Sequence, residues 1–511
     1  MKHYLLYTAA ATRLNRARAG LLRIGGKVLP SRSSEVLIEL QHEMLKDLTL
    51  EISLIEHADA VVPHLRSFPV DLLIVDERNG KMPASKSVEM IRTGVDQLAK
   101  LWGPDFHFPL NRVITILRDD ESAAQTTFEL GREHVRDVLV DPHSFLKVVR
   151  WIADLIDQDR RSSADKVGIA CTGGGIEGFL YQIGCVHALN QALQGRNLFE
   201  LDVYSGISSG SLVASSLATG ISIEELVRSV LGVSDKLTNI SSSLIYDLAV
   251  KDISTRMLKQ SFRWGGLDSA KWADKAMRSI PTGFFKGERL SAFFRECLDT
   301  YGAEDCISSL KSTLFIGATD QDSFEHIIFG DQEHKQTCIS EAIRASCALP
   351  PFFSPAVIQN RHYIDGMITR SSNISRLVKE GCSFIFVIDP MKPIISSEHG
   401  ESEKLGGIHT LIQTVKTLVQ TRFQTELDRV TEKYKNSDFM VFQPYEECAQ
   451  AMGGSPMKLR IRTNILELAY KETLQRLRER YSVYHVKLAK YGFDLVSTEK
   501  LHQLERSGIQ T

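Results

Sequence analysis

The sequence predicts an α/β protein made of two domains in tandem. Three observations carry the prediction. Over roughly the first 160 of its 511 residues, short apolar runs alternate with helical stretches. At Lys166 a strand-like run passes into a cluster of glycines and then a helical pattern. At Leu201 a second run passes into Gly206-x-Ser208-x-Gly210 and small residues spaced for a helix. A chain of this length fits two or three domains, each large enough for its own core.

Composition narrows the function classes. A formal net charge of -2, with 24% charged and 43% hydrophobic residues, gives no whole-chain attraction to nucleic acid. No apolar run reaches the roughly 18 residues of a spanning helix, and the opening Met1-Lys-His-Tyr-Leu-Leu-Tyr reads as a first strand, not as a secretory signal. Eight cysteines are scattered without a Cys-x-x-Cys pair, which argues against a zinc ribbon or disulfide framework and for a reducing, cytoplasmic compartment. Any membrane contact is then peripheral. Neither metal nor organic cofactor is expected.

Residues 1–158 read as the first domain, a small parallel sheet with strands at Tyr4–Tyr7, Leu50–Ile55, Val70–Val75, Arg112–Leu117 and Asp137–Val140. Asp71-Leu-Leu-Ile-Val-Asp76, Ile114-Thr-Ile-Leu-Arg-Asp-Asp and Asp137-Val-Leu-Val-Asp-Pro142 loosely resemble the receiver domains of two-component response regulators. The resemblance puts Asp76 at the phospho-accepting position. Two parts of the pattern are missing: Thr-Ala-Ala-Ala follows Tyr7 where an acidic pair is expected, and Asp141 replaces the lysine. Phosphotransfer needs carboxylates to hold a magnesium ion and a cation to meet the new phosphate, so it is not expected. Two readings stay open, a degenerate receiver that binds a partner or dimerises and a flavodoxin-like cap on the next domain. The polar segment 159–165 reads as a linker.

Residues 166–511 read as the catalytic domain. Gly173-x-Gly175-x-x-Gly178 matches a dinucleotide fingerprint between strand and helix, but the next strand ends in the serine turn, with no ribose-binding acid at its end. The other reading is that these glycines aim backbone N–H groups at an oxyanion beside a nucleophilic serine. A strand, tight turn and helix around Gly206-Ile-Ser208-Ser-Gly210 is the setting of a nucleophile elbow, so Ser208 is the candidate nucleophile. Gly174 and Gly175 lead the oxyanion candidates, with Gly173 and Gly178 in the same loop and the Ser209 amide as a possible addition.

Thr172-Gly-Gly-Gly-x-x-Gly178, Gly-x-Ser-x-Gly some thirty residues later, Ala345-Ser-Cys-Ala-Leu-Pro-Pro-Phe-Phe353 and Tyr363-Ile-Asp-Gly366 together resemble the patatin-like phospholipases, from about Val167 to at least Pro390. The resemblance implies a three-layer α/β/α hydrolase fold and a Ser-Asp dyad without histidine, in which Asp365 corresponds to the base. It also implies a lipid or related acyl-ester substrate. A carboxylate near its ordinary pKa is a weak base for a hydroxyl, so burial beside Phe352-Phe353 is expected to raise it. His362 invites a Ser-His-Asp triad, but a strand neighbour three residues before Asp365 points to the opposite face. Glu177 stands where most members of the family carry Arg or Lys.

Between elbow and base, Phe262–Leu267, Trp272 and Ile280–Phe285 suit either a lid over an acyl channel or ordinary core. After the polar loop at Ser396–Lys404, Leu411, Val415, Leu418, Val419, Phe423, Leu427 and Val430 mark one helical face. Lys458, Arg460, Arg462, Lys471, Arg476, Arg478 and Arg480 make the last stretch basic, either a solvated helix face or a guide to an anionic membrane. The sequence thus predicts a serine acyl-ester hydrolase. The alternatives are a regulated signalling or scaffold protein whose N-terminal domain binds a partner, and a thioesterase or polyester depolymerase.

Overall fold

A computed structural model describes the chain apart from residues 1, 31–34, 46–47, 79–81, 103–107, 143, 163–165, 241–282, 284, 351, 394–406, 435–436, 453–458 and 510–511. The chain divides into two units, the first formed by residues 1–164, 428–438 and 479–492 and the second by 165–427, 439–478 and 493–511.

In the first unit seven strands, β1 (Lys2–Ala9), β2 (Lys27–Leu29), β3 (Val36–Leu40), β4 (Thr49–Glu56), β5 (Leu72–Asp76), β6 (Val113–Leu117) and β7 (Asp137–Val140), form one sheet in the order β2-β3-β4-β1-β5-β6-β7. The five strands predicted from apolar runs are parallel, in the order 2-1-3-4-5 common to flavodoxin-like doubly wound sheets. The β2–β3 hairpin was not expected; it is short and adds antiparallel to the edge at β4.

Period-two alternation sends side chains to both faces. Leu5, Tyr7, Ile74 and Ile114 pack with helices α1 (Ala11–Arg23) and α5 (Phe145–Ser162), while Leu6, Leu73, Val75 and Val113 pack with α2 (Val61–Ser67), α3 (Ala84–Trp102) and α4 (Ala123–Arg132). The last of these helices along the chain, α5, runs on into the polar segment expected to be linker, and Val148, Val149, Ile152 and Ile156 are among its buried residues.

The second unit is built on an eight-stranded sheet. Its strands are β8 (Lys166–Cys171), β10 (Val203–Ile207), β11 (Thr313–Asp320), β12 (His326–Phe329), β13 (Ala356–Ile358), β14 (Arg361–Asp365), β15 (Cys382–Ile388) and β16 (Asp438–Phe442). The order is β13-β14-β11-β10-β8-β15-β16, with β12 on β11. A separate pair joins β9 (Leu193–Gly195) to β17 (Phe493–Leu495).

Strands β15, β8, β10 and β11 run parallel, and β12 and β14 lie antiparallel to β11. The central strands are buried along nearly their whole length, which is why they read as unbroken apolar runs. On one face lie α6 (Gly175–Ala192), buried on nearly all sides, and α7 (Ser209–Ala218). After α8 (Ile223–Leu231), α9 (Glu288–Tyr301) and α10 (Ile339–Ser346), helix α11 (Ile374–Lys379) covers the opposite face at β8, β10 and β15. Ser205 and Gly206 point to these two opposite layers, which makes the unit α/β/α. Of the aromatic insert, Phe262–Leu267, Trp272 and most of Ile280–Phe285 fall outside the described residues, as do the Ser396–Lys404 loop and Lys458.

Candidate active site

Strand β10 leads directly into Ser208, and α7 begins one residue later. Ser208 has φ 53° and ψ −129°, a conformation that costs a non-glycine residue about 1–3 kcal/mol and holds its side chain out on the turn. Hydrogen bonds on both sides hold it there. The Ser208 N–H donates to Ser346 Oγ at 2.7 Å, and that hydroxyl donates to the Gly317 carbonyl at 2.6 Å. The Ser208 carbonyl accepts the Ser211 N–H at 2.9 Å and the Ser211 hydroxyl at 2.6 Å. The flanking glycines are required by contact. A Cβ on Gly206 would lie 2.4 Å from Gly210 O, and one on Gly210 would lie 2.2 Å from Cys171 O. Helix α7 can cross the strand ends at that distance only with bare backbone.

The glycine loop joins β8 to α6 beside this turn. A Cβ on Gly173 would lie 3.0 Å from Ser208 Cβ and 1.7 Å from Met367 Sδ, while one on Gly174 would lie 2.6 Å from Pro390 Cγ. Gly175 has φ +61°. The first N–H groups of α6, from Gly175 on, have no acceptor within the helix, and its dipole favours negative charge at that end. Gly178 differs from its neighbours: its N–H is spent on Gly174 O at 2.9 Å, so it serves by close packing on Pro390 and Ser209, not as a donor.

A buried acid the sequence reading did not single out braces the loop. Asp389, at the end of β15, accepts the Thr172 hydroxyl at 2.8 Å and the Gln443 side-chain amide at 2.7 Å, while Gln182 donates to Thr172 O at 2.7 Å. Burial raises the Asp389 carboxyl above its ordinary range, partly offset by Gln443 and Thr172.

Asp365 ends β14, opposite Ala318 of β11, with no exposed surface. Its Oδ1 accepts the Met367 N–H at 2.9 Å, while Oδ2 has no hydrogen-bond partner. Burial pushes its pKa up to about 7, with the nearby Ser208 hydroxyl and the Met367 N–H pulling the other way. Burial is the expected cause, and the Asp365 N–H donates to Ala348 O of the Ala345–Phe353 segment at 3.0 Å. Phe352 is 40% exposed, and Asp365 is enclosed by its place in the sheet instead. A Cβ on Gly366 would lie 2.4 Å from Gly317 O, so the turn after the aspartate also needs a glycine. His362 is exposed.

Helix α12 (Gly407–Lys433) closes the surroundings. Val415 and Val419 pack with Ile207, Met367 and Met391, although Leu418, expected on the same face, is 59% exposed. Arg422 donates to the carbonyls of Met367 and Ile368 at 2.9 and 2.8 Å, and Glu426 accepts the Ser372 hydroxyl at 2.8 Å. Glu177, which stands where most members of the family carry Arg or Lys, faces a lysine of this helix: Lys416 Nζ lies 4.0 Å from it. Burial raises Glu177 to about 7 against the pull of Lys416, and burial lowers the Lys416 ammonium.

Two of the basic-tail residues are also not surface charges. Arg476 is buried and donates to Val441 O and Gln443 O at 2.8 and 2.7 Å, and Arg480 is buried too. Among the described residues no group of His, Cys, Asp and Glu is placed to hold a metal ion, and no helix is long and apolar enough to cross a membrane. In the first unit Asp76 is fully buried and both its oxygens are occupied, by the Tyr7 hydroxyl and by Arg78 Nε and Nη2 at 2.9 and 2.7 Å.

Residues 169–378 match the patatin-like phospholipase family, so the chain carries a patatin-like phospholipase domain, and a domain of that family implies a lipid acyl hydrolase. Among solved structures, VipD from Legionella pneumophila is similar over 68% of this chain and 74% of that one, at 16% identity and a TM-score of 0.32. NtrX from Brucella abortus is similar over 99% of each chain, at 9% identity and a TM-score of 0.19. Likenesses this distant say nothing about the chemistry.

Proposed function

We propose that the chain is a serine acyl-ester hydrolase acting on lipid or phospholipid esters through a Ser208–Asp365 dyad. The observation that carries this reading is the strained Ser208 turn beside a buried aspartate whose Oδ2 is unpartnered. With its pKa raised to about 7, Asp365 is a far better proton acceptor than an ordinary carboxylate and is still largely ionised in mildly alkaline solution. Ser208 Oγ attacks the ester carbonyl as its proton passes to Asp365, and the N–H groups of Gly174, Gly175 and Ser209 receive the oxyanion. Collapse expels the alcohol, protonated by Asp365, and leaves an acyl-enzyme. Asp365 then takes a proton from water, which attacks the acyl carbonyl and frees the acid.

The proposed division is a doubly wound N-terminal domain over residues 1–158, a linker over 159–165 and the hydrolase over 166–511, although the segments 428–438 and 479–492 group with the first unit. The closed Tyr7–Asp76–Arg78 cluster argues against a phosphate-accepting role for the first, which leaves partner binding or a flavodoxin-like cap. Fluorophosphonate labelling of the purified chain tests the dyad. Wild type is expected to label, and Ser208→Ala and Asp365→Ala are not. Labelling that survives Ser208→Ala would overturn the assignment. A panel of phospholipid, lysophospholipid, glyceride and thioester substrates then selects the ester class.

A further inference from the structure

Behind the dyad, on the side away from the glycine loop, lies a chain of side-chain hydrogen bonds centred on His326, the first residue of β12. One ring nitrogen, Nδ1, meets Thr369 Oγ1 at 2.8 Å. That hydroxyl meets Thr319 Oγ1 at 2.8 Å, which donates to the main-chain carbonyl of Asp365 at 3.0 Å. The other nitrogen, Nε2, meets Asn373 Oδ1 at 3.0 Å, and Asn373 Nδ2 meets Ser205 Oγ at 3.1 Å, three residues before Ser208. The ring reaches both branches because Gly317 lies between them. A Cβ there would stand 3.0 Å from both His326 Cε1 and Asn373 Nδ2.

We propose that His326 is a positioning residue for the hydrolase site, fixing the spacing between the strand that delivers Ser208 and the turn that delivers Asp365 through the hydrogen bonds of its two ring nitrogens. The inference rests on the dyad reading above. His326 bonds to neither reacting side chain, so it acts through the backbone it ties down. Proton counting sets the direction of the chain. Thr319 spends its one proton on the Asp365 carbonyl, so it accepts from Thr369 at 2.8 Å, a shorter contact than the 3.3 Å from Thr369 Oγ1 to the Gly366 carbonyl, and Thr369 in turn accepts from a proton on Nδ1. Nε2 is then the acceptor, which assigns the Asn373 amide turned end for end from the placement above, its nitrogen to the ring and its oxygen to Ser205; the two ends of that amide have the same shape. Burial lowers the imidazole pKa to about 4, the Asn373 bond and Asp331 opposing and Arg370 assisting, so the ring is neutral and holds this single tautomer. An apolar side chain of similar size would fill the space but make neither bond.

The test measures kcat and KM of the full chain on p-nitrophenyl butyrate, together with circular dichroism to establish folding. His326→Phe is expected to lower kcat roughly 10- to 100-fold with KM within about twofold, the size of effect that small misplacements of reacting groups produce. Thr369→Val should give a similar loss, Thr369→Ser should restore it, and the His326→Phe/Thr369→Val pair should be no worse than the poorer single variant. Folded variants with wild-type kcat, or losses that multiply in the pair, would overturn the proposal. If His326→Phe does not fold, the Thr369→Val and Thr369→Ser comparison decides alone. Should wild type neither label nor turn over, the dyad reading fails, and the ring itself is then read by proton NMR. A slowly exchanging Nδ1 proton that is lost in Thr369→Val supports the chain of bonds, and a ring protonated on Nε2 refutes it.

Discussion

Replacing Asp365 by asparagine should stabilise the hydrolase unit while abolishing its chemistry, and the stability gain should depend on pH. In the folded protein burial raises the carboxyl from its ordinary 3.8 to about 7, so between about pH 4 and 7 the folded state holds a proton that the unfolded chain has already released. Wild-type stability from this residue is therefore complete below about pH 4, falls as pH rises to 7, and is constant above. The full difference corresponds to about 4 kcal/mol. Asparagine escapes that cost. Its oxygen can keep the Met367 N–H, and its NH2 group can donate to Ser208 Oγ in place of the interaction that the Ser208 hydroxyl makes with the carboxylate. Thermal melts of wild type and Asp365→Asn between pH 4 and 9 should show no difference at the acid end and a rise of roughly 8–16 °C for the variant above pH 7.5. The same variant should lose about 10²- to 10⁴-fold in kcat because the amide cannot take the serine proton. A variant no more stable than wild type at pH 8.5, or a gain equally large at pH 4, would refute the argument that burial sets this pKa.

Three other outcomes follow from the same geometry. With Asp365 as base, kcat/KM should rise with unit slope up to about pH 7 and then level, and a profile flat from pH 5 to 8 would exclude it. Gly210→Ala should cost about 3 kcal/mol or more and eliminate fluorophosphonate labelling, because its Cβ would sit 2.2 Å from Cys171 O; a labelled, stable variant would show that α7 can shift. In the first unit Arg78→Ala leaves the buried Asp76 carboxylate without its cation and should destabilise that unit by about 3–5 kcal/mol, read as lost amide-exchange protection in β5; unchanged protection would refute it.

Local signals in the sequence were enough for the α/β class, the five parallel strands of the first sheet and the central strands of the second, because each is an apolar run bounded by turn residues. They were also enough to single out Ser208. A tight turn between strand and helix places its glycines at fixed offsets, and the close contacts at Gly206 and Gly210 are the physical origin of that pattern. Asp365 came from a resemblance, since an Asp-Gly pair alone marks only a turn. What composition and spacing did not disclose are groups that meet the site from far along the chain: Ser346 beneath the Ser208 amide, Asp389 behind the glycine loop, Lys416 opposite Glu177 and His326 behind Asp365. A histidine with no motif around it, or a serine to which its motif gives no role, acquires that role only when folding brings its partner to hydrogen-bonding distance. The pKa of Asp365 belongs to the same class, because it follows from burial in a sheet where Asp365 lies opposite Ala318, 47 residues earlier in sequence, and burial is a property of the assembled fold.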